Sequence, residues 1–134
     1  MKEPAWLKKE AILAIHDRLL AEHGGRAGLR DEALLDSALA RPQNLLAYGK
    51  LSLFDLAAAY ACGIIKNHPF VDGNKRTGFM AAFVFLGINK IDLVASEKDV
   101  VLQTLAVAAN ELTEEGYASW LKANSRVGRQ RKPQ

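Results

Sequence analysis

The densest group of side chains that could carry out chemistry lies between residues 68 and 76. The segment combines an imidazole, a carboxylate, a Gly-Asn pair and two cations, at His68, Asp72, Gly73, Asn74, Lys75 and Arg76. It separates two apolar runs, so its polar groups stand beside the protein core. A loop that only connected two helices would rarely need so many hydrogen-bonding groups there. We therefore interpret this segment as the candidate functional site.

Several of these residue types suit the binding of a phosphorylated ligand. The helix predicted to follow the segment presents free N–H groups and the positive end of its dipole, which together favour an anion. Lys75 and Arg76 add two cations at this same end, where they destabilise a helix unless an anion lies between them. Gly73 allows a tight turn and a close approach of the backbone to a ligand. An anion site at the start of this helix is therefore predicted.

His68 and Asp72 add a proton acceptor and a metal ligand. Imidazole titrates near neutral pH and can take a proton from a hydroxyl group. A carboxylate two positions before Asn74 is a ligand that Mg²⁺ prefers. Together the segment predicts phosphoryl or nucleotidyl transfer, in which positioning and charge neutralisation provide most of the catalysis. Singly, the same residues have plainer interpretations, as helix caps, a buried histidine and a solvated first turn.

The elements that position this segment are predicted to be helices almost throughout. Helical spacing of apolar residues, capping residues and breakers predict helices over residues 6–22, 31–41, 52–67, 75–86, 96–112 and from 113 onward. The predicted caps are Ser52, Ser96 and Thr113. Pro42 is expected to end the second helix. Pro69 is expected to end the third near Asn67, because it disfavours the α conformation at His68. Only Ile88 to Val94 hints at extended structure, which is too short for a sheet.

The predicted fold class is therefore all-α, a single-domain bundle of about six helices. The segment 75–86 is apolar on most faces and is expected to be the central helix. Residues 1–123 are predicted to form the catalytic domain. Residues 124–134 are predicted to be a basic, unstructured tail, since they contain three arginines and a lysine and no acid. Such a tail could also contact nucleic acid.

Composition bears on disulfide bonding and on the cellular location of the protein. The chain of 134 residues has one cysteine, so it can form no internal disulfide. Cys62 lies in an apolar run and is interpreted as a buried thiol. Its apolar runs are too short to span a bilayer, and no signal peptide is apparent at the first residues, so a cytoplasmic location is expected. His16 and His23 are interpreted as surface or helix-end residues, and no His/Cys spacing indicates zinc.

The run from His68 to Arg76, His-Pro-Phe-Val-Asp-Gly-Asn-Lys-Arg, resembles the motif of the Fic/Doc family, and most closely its Doc-type toxins. The motif is long and unusual in composition, so the resemblance is specific. It extends over most of the chain to about Leu121. The stretch from Gly28 to Leu35 followed by Arg41-Pro42 also looks Doc-like, although it is a weaker signal.

The resemblance implies a role for each residue of the motif. His68 would be the general base, Phe70 would anchor the loop in the core and Asp72 would bind Mg²⁺. The phosphates of ATP would be held by Gly73, Asn74, Lys75 and Arg76. In Doc-type proteins this pattern accompanies transfer of the γ-phosphate of ATP to a threonine of elongation factor Tu, which stalls translation. The same resemblance implies a Phd-like antitoxin that inhibits in trans, and contact with DNA only through that antitoxin.

Two positions bear on the alternative of AMP transfer. AMP-transferring Fic enzymes have a glycine where this chain has Lys75, and a second arginine where it has Phe79. Both differences favour phosphate transfer, with AMP transfer as the alternative.

An internal inhibitory motif of the form Ser/Thr-x-x-x-Glu-Gly/Asn is not found. The Glu115-Gly116 pair has Glu111 four residues earlier, where the motif requires Ser or Thr. The resemblance then implies that exposed apolar residues on the first two helices form a groove for the C-terminal helix of the antitoxin. A non-catalytic, antitoxin-binding co-repressor remains a third hypothesis.

Overall fold

The structure, a computed structural model, describes residues 3–49 and 52–128. Six helices and two short strands occur in these ranges: α1 Lys9–His23, α2 Glu32–Ala47, α3 Leu53–Asn67, α4 Asn74–Ile88, β1 Ile91–Leu93, α5 Glu97–Ala108, α6 Glu114–Ala123 and β2 Ser125–Val127. The predicted all-α class and the number of helices are confirmed. Within this described part of the chain, no helix is long and apolar enough to cross a membrane.

The sequence had indicated α4 as the central helix, but the helix at the centre of the bundle is α3. Every residue from Leu56 to Ile65 is buried, and α3 packs against α2, α4, α5 and α6. By contrast, α4 leaves Phe83 and Ile88 exposed. The prediction was wrong because the apolar surface of α4 is not completely covered by neighbouring helices. The two helices pack closely at Gly78, whose missing side chain leaves room for Ile65.

Local signals set most helix ends. Ser52, Ser96 and Thr113 each accept a hydrogen bond from a backbone N–H in the first turn of the helix that follows, as predicted. Gly24 ends α1. The predicted end of α2 was wrong, because the helix continues through a buried Pro42 to Ala47. Leu45 and Leu46 pack against the core beyond the proline, and this burial offsets the backbone hydrogen bond that a proline cannot donate.

The strand β1 packs against α4 and β2 packs against α6, with Ile91 of β1 in the core. Ile91 to Leu93 pair antiparallel with Ser125 to Val127, with Asp92 opposite Arg126. The extended stretch after α4 therefore does form a small sheet, contrary to the sequence-based expectation. The tail that was expected to be unstructured from residue 124 contributes β2 to this sheet. Arg129, Arg131 and Lys132, the other cations of that tail, lie outside the described residues.

Candidate active site

A cleft of about 510 Å³ opens where α1, α4 and α5 meet the turn between α3 and α4. Most of its polar residues come from that turn and from the first residues of α4, and the others are His23 on α1 and Thr104 on α5. Its lining residues are Leu19, His23, His68, Asp72, Gly73, Asn74, Lys75, Arg76, Phe79, Met80, Val100, Val101, Thr104 and Leu105. The structure thus gathers six of the seven predicted site residues around one cavity. The seventh, Phe70, lies beneath them in the core.

His68 is placed at the mouth of the cleft by the end of α3. It is the C-cap residue, with left-handed backbone angles (φ 54°, ψ 53°), and its N–H donates to the carbonyl of Ile64 at 3.1 Å. Pro69 was expected to exclude the right-handed α conformation at His68, and His68 does not adopt it. Its backbone lies in the left-handed region and not in the extended region that a following proline favours. The side chain is exposed. An exposed imidazole at the cleft can accept a proton from an incoming hydroxyl group.

The turn itself is fixed from below by Phe70 and Asn74. Phe70 is 1% exposed. The amide of Asn74 donates to the Phe70 carbonyl at 2.9 Å and accepts from the Phe70 N–H at 3.0 Å. Asn74 is itself only 3% exposed, so these bonds occupy its side chain in the interior. The side chain of Asn74 therefore closes the turn, and only its backbone N–H is left to contact the predicted anion.

Asp72 is held with its carboxylate at the surface of the cleft. One oxygen accepts from the N–H of Gly73 at 2.9 Å and the other from the N–H of Arg26 at 3.2 Å. These two backbone hydrogen bonds, that of Arg26 first, lower the pKa of the Asp72 carboxyl below its ordinary value. Gly25 makes the approach possible, since a Cβ there would lie 3.0 Å from an Asp72 oxygen. The group is therefore firmly ionised at neutral pH.

The start of α4 has the features of an anion site. Gly73 adopts a left-handed conformation (φ 79°, ψ 16°) before the helix, and the first turn carries no acidic residue. Across residues 3–49 and 52–128, no acceptor is found for the backbone N–H groups of Asn74, Lys75 and Arg76. Lys75 and Arg76 are exposed and form no ion pair within those ranges. Free donors and positive charge therefore converge on the cleft.

The opposite side of the cleft is apolar. Phe79 and Met80 on α4 face Val100, Val101 and Leu105 on α5 across the same cavity. Val101 is 55% exposed and Leu105 is 49% exposed. A ligand with a charged end and a planar or apolar end would satisfy both halves of the cleft.

Sequence reasoning missed two residues that hold the turn. His16 was interpreted as a surface residue, yet it is 3% exposed and its Nε2 lies 2.8 Å from the Asp72 carbonyl oxygen. Its position four residues after the buried Ile12 placed it on the buried face of α1, and this spacing could have found it. Arg30 contacts the backbone at the end of α3, and no signal other than its place in the segment after Gly28 indicated that contact.

A magnesium ion fits the donor set through a single protein ligand. No group of three or more His, Cys, Asp or Glu side chains that could hold a metal exists in the described ranges. Mg²⁺ commonly uses one or two carboxylates together with phosphate oxygens and water. An ionised, exposed Asp72 beside an anion site matches that requirement.

Comparison with known proteins identifies the family of this chain. The model of the Fic/DOC family matches residues 6–86, which is more than half of the chain. The chain belongs to the Fic/DOC family. A Toxin Doc from Mycolicibacterium smegmatis is 47% identical over 76 residues, which span 54% of this chain and 57% of that relative. Protein kinase doc from Escherichia phage P1 is 29% identical over 117 residues, or 87% of this chain and 92% of the phage protein. The family match contains both α1 and the complete turn from His68 to Arg76.

Proposed function

We propose that this Fic/DOC protein is a toxin that transfers the γ-phosphate of ATP to a Ser or Thr hydroxyl of a translation factor resembling elongation factor Tu. One observation carries the proposal: His68, the ionised Asp72 and the uncapped start of α4 face the same cleft. The names of two relatives, one a toxin and one a protein kinase, support the reaction class. Because translation takes place in the cytoplasm, we propose this as the place of action.

In the proposed reaction His68 accepts the proton of the target hydroxyl as its oxygen attacks the γ-phosphorus. The bond from that phosphorus to the bridging oxygen of the β-phosphate breaks, and ADP leaves with the electron pair. Lys75, Arg76 and the free N–H groups of α4 hold the phosphates against this charge movement. Asp72 would hold Mg²⁺, which neutralises phosphate charge when it is bound. The chain thus supplies a base, an anion site and one metal ligand.

Transfer of AMP is the second candidate reaction. Lys75 occupies the first turn of α4 at the cleft, where AMP-transferring relatives have a glycine, and Phe79 takes the place of an arginine that would bind phosphate. Phe79 lies against Phe83, with ring centroids 6.0 Å apart, so this part of the cleft is apolar. These two positions favour transfer of the terminal phosphate over transfer of AMP.

We further propose inhibition in trans by a Phd-like antitoxin, with any DNA contact made through that antitoxin. The large apolar side chains of α1 and α2, which were expected to be exposed and to form the groove, are buried or only partly exposed. The exposed ones on helices lie on α4 and α5. A non-catalytic co-repressor is the hypothesis from another class, and it requires that function survives the loss of His68.

Intact-protein mass spectrometry of elongation factor Tu, incubated with the protein, ATP and Mg²⁺, tests the proposal. The expected result is a gain of one phosphate that is absent with His68→Ala. A gain of one AMP would replace kinase activity by AMP transfer. If expression of a soluble His68→Ala variant still arrests growth, His68 is not the base and the catalytic proposal fails. If the factor is unchanged while wild-type expression arrests growth, the target assignment is wrong.

A further inference from the structure

Arg30 binds the backbone at the end of α3 with two nitrogens of its guanidinium. Nε donates to the carbonyl oxygen of His68 at 2.7 Å, and Nη2 donates to the carbonyl oxygen of Asn67 at 3.0 Å. The last carbonyls of a helix have no partner within the helix. A planar guanidinium meets two adjacent acceptors at once, which the single ammonium of lysine does not do in the same fixed geometry. Arg30 does not line the cleft. It contacts the backbone of His68, the proposed base, from outside the cleft.

The backbone of His68 needs such support. Its left-handed angles (φ 54°, ψ 53°) are disfavoured for a residue with a side chain. Conformations of this kind persist where the surroundings determine them, and they are concentrated at functional sites. In His68 the carbonyl is held by Arg30 and the N–H by Ile64. The carbonyl of the next residue, Pro69, accepts from the N–H groups of Arg30 and Asp31 at 2.7 and 2.9 Å.

Arg30 is in turn fixed to α2. The next residue, Asp31, is the N-cap of α2 and accepts from the N–H of Leu34 at 3.1 Å. Leu29, on the other side, forms an antiparallel bridge with Phe70. The side-chain amide of Asn67 donates to the Leu34 carbonyl at 3.0 Å. The start of α2 and the end of α3 are therefore joined by several hydrogen bonds, with Arg30 at their centre.

We propose that Arg30 is a positioning residue for the reaction: it holds His68 in its left-handed conformation so that the imidazole faces the cleft. The inference rests on the proposed role of His68 as the base. Arg30 acts through the backbone of His68 and contacts neither the nucleotide site nor Asp72. Its loss should therefore slow the chemical step while leaving the binding of ATP unchanged.

The kinetic test compares Arg30→Ala and Arg30→Lys with Arg18→Ala, a control on the exposed face of α1. For Arg30→Ala we expect kcat to fall at least about tenfold, with KM for ATP within about twofold. Methylguanidinium added to Arg30→Ala should restore part of the rate, since the vacated site is exposed. Arg30→Lys should recover less than half, because it lacks the planar fork. An unchanged kcat in Arg30→Ala, or a loss confined to KM, would overturn the proposal.

A second measurement does not depend on activity. The chain has only three histidines, so ¹³C labelling of histidine gives a spectrum in which His68→Ala identifies the His68 signals. Arg30→Ala should shift the His68 Cα and carbonyl signals away from left-handed values, and Arg18→Ala should not. Unchanged His68 signals would refute positioning whether or not the kinase assay succeeds. If no transfer is found but the signals shift, the proposed reaction fails and the positioning stands. Should Arg30→Ala not fold, Arg30→Gln takes its place.

Discussion

The imidazole of His16 lies face to face with the phenyl ring of Phe70, with centroids 3.8 Å apart and planes inclined by 10°. The same imidazole places its Nε2 2.8 Å from the carbonyl oxygen of Asp72. Since a carbonyl oxygen only accepts, Nε2 carries the proton and donates it. One buried side chain on α1 therefore supports both the loop anchor and the backbone of the proposed metal ligand.

His16→Phe should separate these two contacts. The phenyl ring keeps the stack on Phe70 but cannot donate to Asp72, which leaves a carbonyl without that hydrogen bond. We expect a loss of about 1–3 kcal/mol in the free energy of unfolding and weaker binding of Mg²⁺–ATP, measured by urea denaturation and calorimetry. His16→Gln, which keeps a donor, should recover part of the binding. A His16→Phe variant that binds and unfolds like the wild type would contradict this role.

Asn74→Asp tests how much the two hydrogen bonds between Asn74 and Phe70 contribute to stability. Aspartate has almost the same shape as asparagine. The aspartate cannot donate to the Phe70 carbonyl, and it brings a carboxylate oxygen against that carbonyl in the interior. The free energy of unfolding should fall by about 1–3 kcal/mol or more, measured by chemical denaturation near neutral pH. Asn44→Asp makes the same change at an exposed position on α2 and should cost under about 1 kcal/mol. Equal effects at the two sites would show that the bonds to Phe70 contribute little.

The double variant Lys75→Gly, Phe79→Arg should change which group is transferred. It restores a close backbone approach at the start of α4 and adds a cation to the apolar part of the cleft, as in AMP-transferring relatives. Intact mass spectrometry of the target should show AMP addition appearing and phosphate addition falling. Lys75→Arg, which retains a bulky cation, is the matched control and should keep phosphate transfer. Phosphate as the sole product of the double variant would show that these positions do not direct ATP.

A pair of glycines in α4 tests the packing of α4 on α3. A Cβ at Gly78 would lie 2.7 Å from Cγ1 of Ile65 and 2.9 Å from the Ala61 carbonyl oxygen, whereas one at Gly87 would meet nothing within 4 Å. Gly78→Ala should destabilise the protein by about 1–3 kcal/mol. Gly87→Ala should stabilise it by up to about 1 kcal/mol, because alanine favours the helix. Thermal denaturation of the two variants measures these changes. A Gly78→Ala variant as stable as the wild type would contradict the close packing of α4 on α3.

Cys62 should make the protein less stable at alkaline pH. Burial raises the pKa of its thiol to about 12, and burial also raises the pKa values of Tyr60 and Tyr117. The unfolded thiol ionises from about pH 9, so between these values the folded state binds more protons and the free energy of unfolding falls as pH rises. The slope per group is at most about 1.4 kcal/mol per pH unit.

Urea denaturation between pH 8 and 11 measures that slope, and Cys62→Ala should make it shallower. The native thiol should also resist iodoacetamide at pH 8 and react once the protein is unfolded. Rapid alkylation of the native protein would show that the thiol is accessible. An identical slope in Cys62→Ala would show that folding does not raise the pKa of the thiol.

The sequence predicted what depends on neighbouring residues. Ser52, Ser96 and Thr113 cap helices because each side chain reaches N–H groups two or three residues ahead, and this reach is the same in any fold. The identity of the polar segment from His68 to Arg76 was equally apparent, since its composition contrasts with the apolar runs beside it. Helix number and class followed from the spacing of apolar residues.

Only the tertiary structure decided which of these residues meet. Burial of His16 requires α1 to cross beneath the turn, and the bonds of Arg30 join residues almost forty positions apart in the chain. The central place of α3, the continuation of α2 past Pro42 and the pairing of β1 with β2 also depend on partners distant in sequence. Local pattern fixes what a residue can donate, accept or bury. Which partner it finds is decided by the packing of the whole chain, because burial and long-range hydrogen bonds are shared between segments.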